Sequence, residues 1–113
     1  LSKIEPIVKE SFRLLPFIKV YIVNNILTLR VDSKYKLINK EIIPDENKVF
    51  FDFKGKKSFY TKKRRIISDD YEYIVAGTHL KQKYFRVVVK ASCNILSYRI
   101  KIDKKHSRIV IKK

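Results

Sequence analysis

Residues 18–31 read IKVYIVNNILTLRV, two runs of apolar and β-branched residues on either side of Asn24-Asn25. A two-residue hairpin turn needs positive φ at its central positions, and asparagine tolerates that conformation well. The stretch therefore predicts a β-hairpin in which Ile18–Val23 pairs with Ile26–Val31. Such a hairpin early in the chain indicates a strand-rich fold.

Seven further β-rich runs follow the hairpin, separated by short turns at roughly even spacing. The predicted strands are Tyr35–Ile43, Lys48–Phe53, Ser58–Ile67, Tyr71–Ala76, Lys83–Ala91, Ile95–Ile102 and Arg108–Lys112. Strands joined in this way favour an antiparallel, curled sheet or a small barrel built from hairpins.

The segment before the hairpin is interpreted as a short amphipathic helix over residues 3–15. Its apolar residues Ile4, Ile7, Val8, Phe12 and Leu15 fall on one stripe at helical spacing. The predicted fold is thus mainly β, with α+β as the alternative: an N-terminal helix within residues 1–16 and an antiparallel β body over residues 17–113.

The composition predicts one domain over residues 1–113 and limits the classes of protein. Hydrophobic residues make up 45% of the chain, enough for one modest core, and two glycines and three prolines leave no flexible linker. Cys93 is the only cysteine, so the sequence holds neither an internal disulfide nor a zinc pattern. With no apolar run of membrane-spanning length and no signal-peptide pattern, we expect an intracellular protein, cytoplasmic or nucleoid-associated, or a virion-interior protein, not a secreted one.

The net charge of +16 is concentrated in the second half of the chain. Residues 1–53 hold nine Lys and Arg against seven Asp and Glu, whereas residues 54–113 hold eighteen against four. Solubility requires net charge but not segregation of charge. The asymmetry therefore indicates a basic surface and a polyanionic partner.

Residues 54–65 read KGKKSFYTKKRR, with seven positive charges and no negative one. Successive strand residues point to opposite faces, so Lys62 and Arg64 would face one side and Lys63 and Arg65 the other. Since neither side suits an apolar core, we expect a projecting hairpin arm or a mobile loop, with Phe59 and Tyr60 at its base. A plain solvated loop is the alternative.

The C-terminal strands carry cations on the side opposite their apolar residues. Between Lys83 and Ala91 we expect Phe85, Val87 and Val89 inside and the intervening polar residues outside. In the last two strands the expected core residues are Leu96, Tyr98, Ile100, Ile102, Ile109 and Ile111. Arg99 and Lys101 would then lie beside Arg108 and Lys112, and like charges across a hairpin destabilise it unless an anion compensates.

These observations predict a non-enzymatic nucleic-acid-binding protein without a cofactor, with RNA or single-stranded DNA favoured because tyrosines alternate with cations. A ribonucleoprotein component or a viral or mobile-element accessory protein would fit. The predicted contacts are cations for phosphates and tyrosines for bases: Lys54, Lys56, Lys57, Tyr60, Lys62, Lys63, Arg64, Arg65, Lys83, Tyr84, Arg86, Lys90, Arg99, Lys101 and Arg108.

An alternative function comes from Pro44-Asp45, followed after six residues by Asp52-Phe53-Lys54. This pattern resembles the PD-(D/E)xK signature of metal-dependent nucleases, with a spacing similar to that of the mismatch-repair nicking endonucleases. The resemblance implies that Asp45 and Asp52 bind Mg²⁺, with Glu41 or Glu10 as a further carboxylate, and that Lys54 positions the attacking water.

A second alternative is a protein-interaction or inhibitor module that binds an acidic partner. Tyr73-Ile74-Val75-Ala76-Gly77 resembles the QxVxG hairpin loop of cystatin-type cysteine protease inhibitors, with Tyr73 where that family has glutamine. A second copy of the chain is a further candidate partner, through a hydrophobic edge strand.

Overall fold

The structure, a computed structural model, describes residues 9–113. Ten strands follow one another: β1 (Lys9–Leu15), β2 (Ile18–Val23), β3 (Ile26–Val31), β4 (Lys36–Ile43), β5 (Lys48–Lys54), β6 (Lys62–Arg65), β7 (Tyr71–His79), β8 (Tyr84–Ala91), β9 (Arg99–Asp103) and β10 (Arg108–Lys112). Short 3₁₀ turns occupy Pro44–Glu46, Leu80–Gln82 and Ile95–Ser97. The part of the chain described here contains no helix that could span a membrane.

The hairpin predicted around Asn24-Asn25 is present with its predicted bounds. Asn24 and Asn25 have φ of 48° and 66°, and Ile18–Val23 pairs antiparallel with Ile26–Val31. Because the turn has two residues, the register is fixed, and Lys19 lies opposite Arg30.

The strands form two antiparallel sheets of five strands each. Sheet 1 has the order β1-β2-β3-β10-β9, and sheet 2 has the order β4-β5-β8-β7-β6. Strict alternation along β2, β3, β8 and β10 sends one set of side chains into the space between the sheets and the other set outward. The molecule is therefore a sandwich with one core and two outer faces.

Aromatic rings fill one end of the core. Phe85 lies 5.5 Å from Phe53 in a stacked pair and meets Phe17 and Tyr35 edge to face at 5.2 and 5.3 Å, between ring centroids. A Cβ atom at Gly55 would lie 2.5 Å from Cδ1 of Tyr35, so only glycine lets the chain leave β5 beside this ring.

Side-chain contacts join the two sheets at the edge where β6 lies beside β1, but the sheets do not close into a barrel. At one edge the guanidinium of Arg64 lies 4.2 Å from the ring centroid of Phe12, and the Ile67 N–H donates to the Glu10 carboxylate at 3.0 Å. These contacts join β6 to β1, but no ladder of backbone hydrogen bonds connects these two described strands. The mainly β prediction is confirmed, as two sheets and not as a closed barrel.

The predicted N-terminal helix is wrong wherever the structure describes it. Residues 9–15 form β1, which pairs with β2 from Lys9 opposite Val23 to Leu15 opposite Ile18. Phe12 and Leu14 are buried while Ser11 and Arg13 are exposed, which is the two-residue period of a strand. Residues 3–8 of the predicted helix lie outside the described residues.

Two smaller predictions also need correction. The last four residues of the basic segment do not form a projecting arm, because Lys62–Arg65 forms β6, the edge strand of sheet 2 paired with β7. Leu96, expected in the core, is 63% exposed, because Ile95–Ser97 is a 3₁₀ turn that buries Ile95 instead. The remaining predicted core residues of the last two strands lie inward, with Ile100 and Ile102 only half-buried.

Candidate nucleic-acid interface

The outer side of sheet 2 brings together aromatic rings and many of the predicted cations. We call it the aromatic face. Register and alternation assign it the side chains of Lys48, Phe50, Asp52, Lys54, Lys63, Arg65, Tyr73, Tyr84, Arg86 and Lys90. Six of these are cations, two are tyrosines, and they come from four neighbouring strands.

Tyr73 stands in the middle of a cross-strand row of cations on this face. Its direct neighbours are Arg65 on β6 and Lys90 on β8, and Lys48 follows on β5. The ammonium of Lys63 lies 4.1 Å from the Tyr73 ring centroid. Lys48 forms an ion pair with Glu46 at 3.1 Å, and its hydrogen bonds to Glu46 and then to Tyr73 raise its pKa, so this end of the row is a cation already paired with a carboxylate.

Arg86 is held by other protein groups at the centre of the aromatic face. Its Nε and Nη2 atoms donate to the Asp52 carboxylate at 2.8 and 3.2 Å, and that hydrogen bonding raises the pKa of Arg86. Its guanidinium lies 3.8 Å from the ring centroid of Phe50, which is 6% exposed although it points outward. The predicted contact residue Arg86 is therefore already paired and acts as packing for Phe50.

Tyr84 lies at the other end of β8, where the face meets the turn Leu80–Gln82. The ring of His79 stacks on it with 4.6 Å between centroids, and Lys54 is its cross-strand neighbour. Lys83 is the exposed residue after that turn, and its carbonyl accepts the Gly55 N–H at 2.9 Å. Lys83, Tyr84 and Lys54 thus form one group, about 20 Å along β8 from the Tyr73 row, since Lys90 lies six positions after Tyr84.

The connection from β5 to β6 displays one ring and buries another. Tyr60 is 96% exposed, whereas Phe59 packs 5.7 Å from the ring of Phe17. The ammonium of Lys57 also lies over Phe17, at 5.1 Å, and the Thr78 hydroxyl donates to the Lys57 carbonyl. The loop is therefore anchored through Phe59 and Lys57, while Tyr60 and Lys56 remain exposed.

Sheet 1 carries the predicted cations Arg99, Lys101 and Arg108 and three that sequence reasoning missed. On its outer side Arg13, Lys19, Arg30 and Arg108 lie directly opposite one another on β1, β2, β3 and β10. We call these four residues the cationic row. Asp103 completes the line on β9, and Arg99 and Lys101 lie on the same side. The two-residue turn at Asn24-Asn25 was the available signal, since it places Lys19 opposite Arg30.

The pKa of Tyr21, which lies beside the cationic row, is lowered by the neighbouring cations. The Lys19 ammonium lies 5.1 Å from its ring centroid. A side-chain hydrogen bond from Lys19, reinforced by the charges of Lys19 and Arg30, lowers the pKa of Tyr21 despite some desolvation. Within residues 9–113, no carboxylate lies within 4.0 Å of the charged groups of Arg13, Lys19 or Arg30.

The predicted site residues are thus divided between two outer faces, the connection from β5 to β6 and the edge that joins the two faces. Lys62 and Arg64 point to the opposite side of β6 from Lys63 and Arg65, toward β1. The expectation of cations facing each other across the last hairpin holds for Arg99 and Lys112, whereas Arg108 faces Asp103.

The residues of the nuclease resemblance do not come together. Asp45 lies in the exposed turn before β5, and Asp52 lies at least four strand residues further on, roughly 13 Å along β5. The Asp52 carboxylate is occupied by Arg86 and by the Asn39 side chain, and the Glu10 carboxylate accepts the Ile67 N–H. Glu41 lies opposite Phe50 on β4. Among residues 9–113 no three His, Cys, Asp or Glu side chains are grouped to hold a metal ion.

The inhibitor resemblance also meets a different local structure. Tyr73–Gly77 lies inside β7, paired with β6 on one side and β8 on the other, and is not a hairpin loop. It cannot insert into a protease cleft without breaking sheet 2.

Comparison of the chain with protein-family models, with curated proteins and with solved structures found no match.

Proposed function

We propose that this protein binds nucleic acid, RNA or single-stranded DNA in preference to duplex, through the aromatic face and Tyr60. The observation that carries the proposal is the row Arg65–Tyr73–Lys90, in which a tyrosine lies between two cations on one outer face. Phosphates bind to such cations, and unstacked bases stack on aromatic rings whatever their sequence.

Binding here involves no chemical step. The cations attract the backbone, and the tyrosines favour strands whose bases are free to stack. Tyr84 lies roughly 20 Å along β8 from Lys90, the cross-strand neighbour of Tyr73, so a strand of several nucleotides contacts both ends of the face. Duplex nucleic acid hides its base faces and would use the cations alone.

Strand β6 supplies a matched pair of variants for the test. Lys63→Gln/Arg65→Gln removes two charges from the aromatic face, whereas Lys62→Gln/Arg64→Gln removes two charges from the opposite side of the same strand. Affinity for a short labelled oligouridine is measured by fluorescence anisotropy at several salt concentrations. Thermal melting of both variants verifies that they fold.

We expect the Lys63/Arg65 variant to bind the short oligouridine more weakly and to reduce the magnitude of the log–log salt slope by roughly 1.4, about 0.7 for each phosphate that a cation no longer neutralises. The Lys62/Arg64 variant keeps the wild-type slope on this short ligand. Equal losses of affinity in both variants would mean that net charge and not the aromatic face governs binding. Wild-type affinity in both would contradict the proposal, because Lys63 and Arg65 belong to the aromatic face.

A further inference from the structure

We propose that the interface continues from the aromatic face around the β1–β6 edge onto the cationic row, so that a longer nucleic-acid strand wraps the sandwich. This inference rests on the proposed function and extends its site to residues on the other sheet. The cationic row is the surface that sequence analysis did not identify.

The cationic row is built at a regular spacing. Neighbouring strands lie about 4.8 Å apart, so the four residues cover roughly 14 Å across sheet 1. Asp103 ends the row, where it bonds the His106 ring at 2.8 Å and lies 3.8 Å from Arg108. Three neighbouring pairs in the row are therefore cation against cation.

Such a row is costly in the free protein. Like charges directly opposite one another in a sheet destabilise it, and here three pairs do so side by side. A bound polyanion would remove the repulsion. Tyr21 lies beside Lys19 and the ring of Phe17 is packed against Tyr35 and Phe85, so the row offers a phosphate backbone more contacts than it offers stacked bases.

The edge between the two faces is itself basic. Arg64 of β6 packs on Phe12 of β1, and the N–H of Ile67, just after β6, donates to the carboxylate of Glu10 on β1. The two strands therefore run side by side in opposite directions. Continuing that alignment puts Lys62 beside the Arg13 end of the cationic row. Cations thus follow one another from Arg65 and Lys63, over Lys62 and Arg64, to Arg13.

The length of this path sets a length for the ligand. Crossing the row takes roughly 14 Å, passing from one sheet to the other about 10 Å, and reaching Tyr73 from β6 about 5 Å. A strand at the stacked rise of about 3.4 Å per nucleotide needs roughly nine nucleotides to follow it. An oligomer of about four nucleotides spans roughly 14 Å, so it fits within the aromatic face and cannot reach the cationic row as well.

The test compares oligouridines of about four and about fifteen nucleotides, which fall short of and exceed the roughly nine-nucleotide path. The variant Lys19→Gln/Arg30→Gln removes two charges from the row, and Lys104→Gln/Lys105→Gln removes two from the exposed turn between β9 and β10 as the matched control. We expect the row variant to lower affinity for the longer oligomer about tenfold relative to the control near physiological salt, because two phosphate contacts are lost, with no change for the shorter one. Binding of one oligomer per protein is expected at both lengths.

A second measurement, the pKa of the Tyr21 phenol, detects whether a bound strand lies on the cationic row. The Tyr21 phenol titrates below its ordinary pKa because of Lys19 and Arg30, so a strand lying on the row should raise that pKa. Ultraviolet titration of the wild type minus Tyr21→Phe isolates this residue. The shift is expected with the long oligomer and not with the short one.

Different results would contradict binding at the aromatic face and wrapping onto the cationic row. If the short oligomer does not bind, or binds without needing Lys63 and Arg65, the proposed function is wrong. If the short oligomer binds as proposed but the long one ignores Lys19 and Arg30, the wrapping is wrong. Two long oligomers bound per protein would also overturn wrapping, since the two faces would then act separately.

Discussion

Replacing Arg30 by glutamine should stabilise the free protein. Arg30 faces Lys19 on one side and Arg108 on the other, and each like-charged cross-strand pair costs about 0.2–1 kcal/mol. Removing one charge relieves both pairs, so the free energy of unfolding should rise by about 0.4–2 kcal/mol. For a domain near this size, about 1 kcal/mol corresponds to a Tm increase of about 4–8 °C.

The assay is thermal unfolding of Arg30→Gln and wild type at low and at high salt. At about 1 M salt the Debye length is about 3 Å, shorter than the spacing between strands, so the gain should nearly vanish. Lys104→Gln, which removes the same charge from a turn, should leave Tm almost unchanged. A lower Tm for Arg30→Gln at low salt, or a gain that persists at high salt, would refute the claim that the row stores repulsion.

Further changes test the interface and the framework that holds it. Tyr60→Ala should weaken binding of a single strand by about 1–3 kcal/mol, because a base loses its stacking partner. Its Tm should not change, because the ring is 96% exposed. Equal anisotropy curves for variant and wild type would exclude Tyr60 from the site. Asp52→Asn should lower the free energy of unfolding in urea by about 1.5–3 kcal/mol, because Arg86 loses its charged partner; an unchanged midpoint would contradict this. Tyr71→Phe should cost about 1 kcal/mol in the same assay, since the buried hydroxyl has one hydrogen to share between the carbonyls of Asn25 and Ile111; a neutral outcome would mean that this hydrogen bond contributes nothing.

Much of the framework was predictable because local chemistry determines it. The Asn24-Asn25 turn fixes its own hairpin, and the alternation Phe85–Val87–Val89 fixes which side of β8 faces the core. In both cases neighbours along the chain carry the signal, so no knowledge of distant strands is needed.

The helix prediction for the N-terminal segment was wrong because its apolar residues fit both a helical and a strand periodicity. Phe12 and Leu15 fit a helical stripe, whereas Phe12 and Leu14 fit a strand, and a short apolar segment cannot decide between them. The pairing of β1 with the edge of the hairpin decides for the strand. That contact is tertiary, so sequence periodicity could not supply it.

The cationic row was missed because charge was compared between two halves of the chain. Arg13, Lys19 and Arg30 belong to the nearly neutral half, yet the sheet lines them up with Arg108 from the basic half. The charge that decides a surface is the charge of cross-strand neighbours, and strand order determines those. Conversely, Arg86 counted as a free cation in the sequence but is neutralised by Asp52 in the structure.

Binding of nucleic acid by the exposed cations is tested most simply by the salt dependence of the affinity of the wild-type protein for a labelled single-stranded oligonucleotide. With about six phosphate contacts, the logarithm of the affinity should fall against the logarithm of salt concentration with a slope of about −4. Tight binding at low salt with that slope is the result we predict. A protein that shows no binding at low salt, or a slope near zero, would contradict the claim that its exposed cations meet a nucleic-acid backbone.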